Sequence, residues 1–302
     1  MNENKFNVQG MDHLVKPYET LTVKEGELYN GWGNTIYKGE SENIYTSEAV
    51  IEDWFTKPLQ SRVNTEGGVI KVADFGGATG ANLDVIKKQM QPIVVEPFNV
   101  DISFDAVKRG KDFGDDKNHV VANLASLPFA DNNFDAGCSR STIQYNPLVS
   151  EKVKTQGDIL RELHRVMKPG GVIIMTWPGA KTKEMMPILN QASAIIEAYI
   201  MGVSERNILN QKCYTDPESL CELAKQAGFE IVEAKELLEL PTTVEAYYNR
   251  FGEIIEKNGG SFEELREVYN KVINEFGDKL STERINGKQT LIWSEHRLIL
   301  KK

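Results

Sequence analysis

A glycine-rich stretch directly after an apolar run is the first place where this sequence could bind a ligand. Residues 69–75 (VIKVADF) predict a buried strand, residues 76–80 (GGATG) a turn, and residues 82–90 a helix. Glycine lets the backbone turn sharply and lets a ligand approach the main chain, and the start of the helix offers free N–H groups. We therefore expect a ligand-binding turn, with the carboxylate of Asp74 beside it.

The residue types in this turn favour one class of ligand over another. A dinucleotide site has the pattern G-x-G-x-x-G, in which the second glycine makes room for the pyrophosphate. Ala78 stands at that position here and adds a methyl group. A ligand without phosphate, whose amino acid tail needs an acidic partner such as Asp74, fits the turn better.

Three later stretches add to this motif: residues 100–103 (VDIS), 122–129 (ANLASLPF) and 163–172 (LHRVMKPGGV). In this order, the four stretches resemble the motifs of class I S-adenosylmethionine-dependent methyltransferases, with Ala78 departing from the family's middle glycine. The resemblance implies a doubly wound α/β fold with a mostly parallel seven-stranded sheet. It also implies S-adenosylmethionine as cofactor, S-adenosylhomocysteine as product and a small molecule as methyl acceptor.

The resemblance further implies roles for individual residues. Asp74 would contact the amino group of the methionine moiety, and Asp101 would accept hydrogen bonds from both ribose hydroxyls. Asn123 would accept from the adenine amine, while the Leu124 N–H would donate to the ring. The predicted cofactor-binding residues are Asp74, Gly76, Gly77, Ala78, Gly80, Asp101, Ile102, Asn123, Leu124 and Ser139.

Several of these roles have alternatives. A second strand confined to residues 92–95 would make Glu96 its terminal acid, and Asp101 would merely open the next helix. Asp101 follows Gly80 by 21 residues, close to the roughly 20 expected for ribose recognition. It is favoured over Glu96 because Asp-Ile-Ser followed by a helix is the pattern of the family that the sequence resembles. Asn123 could be only a turn residue, and Asp74 could only cap backbone N–H groups.

The catalytic residues are harder to predict, because a sulfonium is already an activated electrophile. The enzyme has mainly to align the acceptor, expected to be nitrogen or oxygen, and to exclude water. His13, Tyr29 and Tyr37 are candidates for accepting a proton from the acceptor, and Arg140 for binding a substrate carboxylate. His296, on the last predicted strand, is more consistent with a structural role.

The order of predicted elements must bring these residues together. Strands alternate with helices up to residue 177, which predicts parallel pairing and places function at the carboxyl ends of the strands. A first helix begins near Glu48 and stops near Pro58, and two helices at 244–257 and 262–276 form an insertion that covers the sheet edge. We predict an N-terminal arm or lid (1–46), a cofactor-binding core (47–240), a helical cap insertion (241–288) and a final core strand (289–302).

Composition excludes several classes of partner. The 302 residues carry 35 Lys and Arg against 44 Asp and Glu, a net charge of −9, which argues against nucleic acid as partner. We expect no export signal and no membrane span, since no apolar run is long enough to cross a bilayer, and we therefore expect a cytoplasmic protein without a membrane partner. Three cysteines without C-x-x-C spacing and four scattered histidines predict no metal site.

Three other functions remain open at this point. A protein of the same fold could bind the cofactor without transferring a methyl group, and the missing middle glycine favours that interpretation. An NAD-dependent oxidoreductase is disfavoured by Ala78 and by the downstream motifs. A methyltransferase acting on RNA or protein is the third; the acidic charge disfavours RNA but leaves a basic protein substrate open. The oligomeric state is not predicted.

Overall fold

The computed structural model describes residues 48–63, 68–112, 116–146, 154–280, 282–285 and 288–302. Eight strands lie within these residues: β1 (Val69–Phe75), β2 (Val94–Asp101), β3 (Asn118–Val121), β4 (Phe134–Arg140), β5 (Met167–Gly179), β6 (Glu230–Thr242), β7 (Thr282–Ile285) and β8 (Lys288–Lys301).

Helices cover both faces and one end of this sheet. The α-helices of the described residues are α1 (Glu48–Ile51), α2 (Lys57–Gln60), α3 (Ala81–Gln89), α4 (Phe104–Asp112), α5 (Gln156–Val166), α6 (Met186–Met201), α7 (Glu205–Gln211), α8 (Pro217–Gln226), α9 (Val244–Lys257) and α10 (Phe262–Phe276).

The strands form one sheet in the order β3-β2-β1-β4-β5-β8-β6, with the short β7 paired to β8. The pairs β1–β2, β1–β4, β2–β3 and β4–β5 are parallel, whereas β8 runs antiparallel to both β5 and β6. Parallel neighbours need a crossover connection, which α3, α4 and α5 provide. The predicted doubly wound, mostly parallel seven-stranded sheet is confirmed, with β7 added to it.

Two apolar cores sandwich the sheet, as continuous apolar strands require. Side chains of β5 alternate between them: Ile173 and Met175 face α5 and α8, whereas Val172 and Ile174 face α3 and the first helical segment. Trp177 continues the first of these faces and donates its indole N–H to the Thr215 carbonyl at 2.8 Å. The sheet is therefore held rigidly from both sides, which fixes the carboxyl ends of its strands.

The first helical segment is longer than predicted. The helical segment ends two residues beyond the predicted stop near Pro58, because α1 continues through a π-helical turn (Glu52–Thr56) into α2, which ends at Gln60. Proline lacks an N–H and is tolerated in the first turn of a helix, and Pro58 occupies that place in α2. The segment packs Trp54, Phe55 and Leu59 onto the second core.

The two C-terminal helices form what we call the helical cap, α9 and α10. They occupy the predicted ranges and lie between β6 and β8 in the chain. Their buried residues Ile255 and Leu265 pack against α6 and the first half of β8, including Trp293.

The predicted division of the chain into four domains stays a prediction. The sequence patterns did not indicate α7 or the β7–β8 hairpin.

Two further observations concern the described residues as a whole. All three cysteines are free thiols, and Cys138 is buried. Among the described helices, none is both long enough and apolar enough to cross a bilayer.

Candidate functional site

The turn after β1 is folded tightly over the end of β2. Gly76 and Gly80 have positive φ angles of 83° and 81°, and the Gly76 N–H donates to the Val100 carbonyl at 2.7 Å. A Cβ at Gly76 would overlap the side chain of Thr142, which follows β4. Glycine is thus required at residue 76 both for its conformation and for the close approach of a neighbouring segment.

Asp74 is a buried acid with unused hydrogen-bonding capacity. Its side chain is fully buried, Oδ2 accepts from Asn82 Nδ2 at 3.4 Å, and Oδ1 has no partner among the described residues. Burial disfavours the charged form and raises the pKa of Asp74 to about 7, while hydrogen bonds and the nearby Arg140 charge act in the opposite direction. A cationic group bound beside Asp74 would restore its charge and use the free oxygen.

Asp101 is the acid at the carboxyl end of β2. The strand runs from Val94 to Asp101, so Glu96 lies inside it and is not its terminal acid. The Asp101 carboxylate accepts from the Ala78 N–H through Oδ2 and from the Ser103 N–H through Oδ1, each at 2.8 Å. Burial raises the pKa of Asp101, partly offset by these backbone hydrogen bonds. The carboxylate has four lone pairs against three backbone donors, Ala78, Ser103 and Ile102, so it keeps capacity to accept from a ligand hydroxyl.

Three other predicted cofactor residues, Ile102, Asn123 and Leu124, lie just after the ends of β2 and β3. Ile102 is half-buried directly after Asp101. Asn123 uses its side-chain oxygen to accept from the Ala125 N–H at 2.9 Å, a contact typical of a turn residue, and its role toward adenine stays a prediction. Leu124 packs into the first core.

Ser139 connects β4 to β1, because its hydroxyl donates to the Phe75 carbonyl at 2.8 Å. This bond engages the side chain within the sheet. The predicted place of Ser139 in the cofactor site therefore stays a prediction.

The candidates for handling the acceptor are distributed differently. Arg140 ends β4, and its guanidinium carbon lies 4.9 Å from the centre of the Trp54 ring, within cation–π distance. His13, Tyr29 and Tyr37 lie outside the described residues. His296 is buried, with its ring 5.3 Å from that of Trp177.

One residue of the site was missed by sequence reasoning. Asn99 is fully buried in β2, and its Nδ2 donates to the Ala78 carbonyl at 2.8 Å, while its Oδ1 has no partner among the described residues. The signal that could have found it was a polar residue between the apolar Phe98 and Val100, two positions before Asp101, because such positions share a face.

The residues present fit the cofactor that the sequence motifs imply. Two buried oxygens, Asp74 Oδ1 and Asn99 Oδ1, are without partners in the described part of the chain, and a Cβ at Gly77 would overlap both side chains. Buried acceptors of this kind suit a ligand that donates hydrogen bonds, such as an ammonium group and a ribose diol. In the same part of the chain, no three His, Cys, Asp or Glu side chains come together as a metal site would require.

Comparison with known proteins supports this assignment. Residues 73–175 match the family model described as a methyltransferase domain. Over 142 residues, the chain is 30% identical to a ubiquinone/menaquinone biosynthesis C-methyltransferase of Pectobacterium atrosepticum, covering 45% of this chain and 51% of that protein. Over 183 residues, it is 24% identical to a malonyl-[acyl-carrier protein] O-methyltransferase of Marinomonas sp. strain MWYL1, covering 53% and 64%. In both cases, the chain spans less than two thirds of its relative.

The fold has solved counterparts as well. The crystal structure of a candidate methyltransferase from Bacillus halodurans C-125 superposes with a TM-score of 0.59 at 16% sequence identity, covering 82% of this chain and 97% of the other. At this identity the likeness concerns the fold alone. Together with the match of residues 73–175 and the geometry of the loop after β1, it confirms the resemblance derived from the motifs. Residues 73–175 of this chain therefore match a methyltransferase domain, and they lie within a fold of the class I methyltransferase type.

Proposed function

We propose that this chain binds S-adenosylmethionine and transfers its methyl group to a small-molecule acceptor. The observation that carries the proposal is the Asp101 carboxylate at the end of β2, hydrogen-bonded to the Ala78 N–H at 2.8 Å. This contact puts an acceptor suited to a ribose diol against the turn whose backbone a ligand can approach. Asp74, the last residue but one of β1, supplies the second acidic group.

Each group has a distinct task in binding. Asp74 takes the positive amino group of the methionine moiety, since its Oδ1 is buried without a partner among the described residues. Asp101 takes the two ribose hydroxyls, and Asn123 with Leu124 takes the adenine edge. Gly76 and Gly77 have no side chain, so the ligand can lie directly against the main chain.

Methyl transfer requires mainly that the protein align the acceptor with the methyl group. When bound, S-adenosylmethionine supplies a methyl group on a sulfonium, and in-line displacement by the acceptor breaks the carbon–sulfur bond and leaves S-adenosylhomocysteine. The chain's own residues hold the two reactants at the carboxyl ends of β1, β2 and β4 and keep water away. Arg140, stacked against Trp54, binds a carboxylate of the acceptor.

The acceptor atom in this proposal is nitrogen or oxygen. The two relatives differ on this point, because one is named a C-methyltransferase and the other an O-methyltransferase. Transfer from S-adenosylmethionine with a carbon-13 methyl group resolves the question, since N-, O- and C-methyl carbons have different chemical shifts. A carbon-bound label would overturn the proposed acceptor atom and leave methyl transfer intact.

Calorimetric titration with S-adenosylmethionine, S-adenosylhomocysteine and NADH tests cofactor binding. We expect the two sulfur nucleosides to bind and NADH not to bind. Asp101→Ala should weaken binding by about 1–3 kcal/mol, because it leaves ligand hydroxyls unpaired. Glu96→Ala is the matched control: it removes an acid from the same strand, away from its end, and should leave the affinity unchanged.

The other outcomes discriminate the competing functions. Absence of binding for both sulfur nucleosides would refute the proposal, and binding of NADH would favour an oxidoreductase. Release of S-adenosylhomocysteine in the presence of small carboxylic acids, phenols and amines measures transfer. Tight binding without any such release would favour a cofactor-binding protein that transfers no methyl group.

A further inference from the structure

The turn after β1 contains an alanine in a conformation that favours glycine. Ala78 has a φ angle of +50°, in the left-handed region that residues with a Cβ rarely adopt. Such a conformation persists only when the surrounding structure enforces it. The question is therefore which contacts hold residue 78 in place.

Two side chains of β2 hold both backbone groups of this residue. Asp101 Oδ2 accepts from the Ala78 N–H, and Asn99 Nδ2 donates to the Ala78 carbonyl, each at 2.8 Å. The two side chains are two residues apart on one strand and so project to the same face. Asp101 is assigned to the ribose in the proposed function, whereas the amide nitrogen of Asn99, which contacts the Ala78 carbonyl, is assigned no contact with the ligand there.

The packing around Asn99 restricts its side-chain amide to one position. The side chain is fully buried, its Nδ2 also lies 3.2 Å from His119 Nδ1, and a Cβ at Gly80 would lie 3.0 Å from its Cγ. A Cβ at Gly77 would overlap its Oδ1. The two glycines thus make room for Asn99 as well as for a ligand, and the amide is held rigidly against the turn.

We propose that Asn99 is a positioning residue for the cofactor site: its amide fixes Ala78 in the left-handed conformation that glycine would adopt unaided. The inference rests on the proposed function in so far as the positioned turn is the cofactor-binding turn. It accounts for the departure at residue 78, because a side-chain hydrogen bond from the neighbouring strand takes over what the missing glycine would supply.

A cycle of four proteins tests the proposal: the native chain, Asn99→Ala, Ala78→Gly, and the double variant. The Kd for S-adenosylhomocysteine is measured by calorimetry for each. We expect Asn99→Ala to weaken binding about tenfold when residue 78 is alanine and by no more than about threefold in the Ala78→Gly background. Equal losses in the two backgrounds, or no loss in either, would overturn the proposal. Asn118→Ala is the control, because Asn118 donates to the Pro97 carbonyl of β2 at 3.3 Å and lies away from the turn.

A second measurement separates this inference from the proposed function. The thermal unfolding midpoints of the same four proteins, without ligand, should show a larger loss from Asn99→Ala with alanine than with glycine at residue 78. If the native chain binds no S-adenosylhomocysteine, the proposed function fails, and the midpoints still decide the role of Asn99. If Asn99→Ala does not fold, Asn99→Asp, which replaces the donor by an oxygen, takes its place. Misfolding in both backgrounds would overturn the proposal, since rescue by glycine is what it requires.

Discussion

Two buried acids, Asp74 beside the glycine turn and Glu197 in α6, differ in the number of hydrogen-bond partners that surround their carboxylates. Glu197 accepts from Ser193 Oγ at 2.6 Å and from Lys212 Nζ at 2.7 Å, and the Tyr214 hydroxyl donates to it as well. Asp74 accepts one long hydrogen bond from Asn82 through Oδ2 and a weak one from the Cys138 thiol, and its Oδ1 has no geometrically defined partner in the described part of the chain.

The difference separates a structural cluster from a ligand site. A buried charge is costly unless it is paired and hydrogen-bonded. Glu197 is paired with Lys212, whose ammonium also lies 4.6 Å from the centre of the Tyr145 ring. Asp74 lacks such pairing, and burial raises its pKa to about 7. We infer that the Glu197 cluster holds the fold together, whereas the capacity left on Asp74 serves to bind a ligand.

Removal of Glu197 should have the largest effect on stability. Glu197→Ala leaves the buried Lys212 ammonium without its carboxylate, and we expect the free energy of unfolding to fall by about 3–5 kcal/mol. Urea denaturation measures this change, and the Kd for S-adenosylhomocysteine should stay the same at temperatures where the variant is folded. Asp112→Ala, which breaks an exposed pair with Lys108, is the control and should change stability little. If a folded Glu197→Ala variant lost its affinity for S-adenosylhomocysteine, this would contradict the distinction between a structural Glu197 cluster and a ligand site at Asp74.

Blocking the ligand site with a larger side chain should have the next largest effect, which we expect on the affinity for the ligand. In Gly76→Val, the new side chain overlaps Thr142 and occupies a position with a φ angle of +83°. We expect the affinity for S-adenosylhomocysteine to fall at least about 100-fold, or roughly 2.8 kcal/mol. Gly259→Ala serves as control: Gly259 has a φ angle of +80°, and a Cβ added there would meet nothing within 4 Å, so the variant adds strain without overlap. Retained affinity in Gly76→Val would argue against a ligand in this turn.

Neutralisation of Asp74 should act in opposite directions on binding and on stability. Asp74→Asn keeps the shape of the side chain and removes the charge whose burial is unfavourable. We expect the affinity for S-adenosylhomocysteine to fall about tenfold, or roughly 1.4 kcal/mol. The unfolding midpoint of the ligand-free protein at a pH above 7 should rise by a few degrees, which calorimetry measures. A fall in both quantities would show that Asp74 is a structural acid like Glu197.

The pH dependence should give the smallest and most specific signal. Because the pKa of Asp74 is raised from 3.8 to about 7 in the folded protein, the folded state holds more protons than the unfolded state between these values. The stabilisation from protonated Asp74 is complete below about 3.8 and is lost as the pH rises through about 7. Ligand affinity should change in the opposite sense, tightening about fivefold as Asp74 becomes charged across about pH 7. Asp74→Asn should abolish this tightening; a profile unchanged in the variant would contradict the role of Asp74.

Much of this architecture could be predicted from the sequence. The apolar strands and the glycine turn are local patterns, and they sufficed for most of the order of elements, α7 and β7 excepted, and for the two helices of the helical cap. Asp101 was favoured as the acid that ends β2 because Asp-Ile-Ser followed by a helix resembles the family pattern, and β2 does end at Asp101. The first helix ends at Gln60, two residues past Pro58, and the sequence alone did not specify this end residue, since a proline allows either a stop or a first turn.

The sequence by itself determined the fold class, the methyltransferase motifs and the acidic residues that flank the turn. The tertiary structure alone decided that Asn99 supports Ala78, that Glu197 is neutralised by Lys212, and that Asp74 is not paired in the same way. Patterns along the chain specify local elements, because propensity and periodicity act over a few residues. The pairing of buried polar groups depends on strand register and on helices distant in sequence, which only the packed structure brings together.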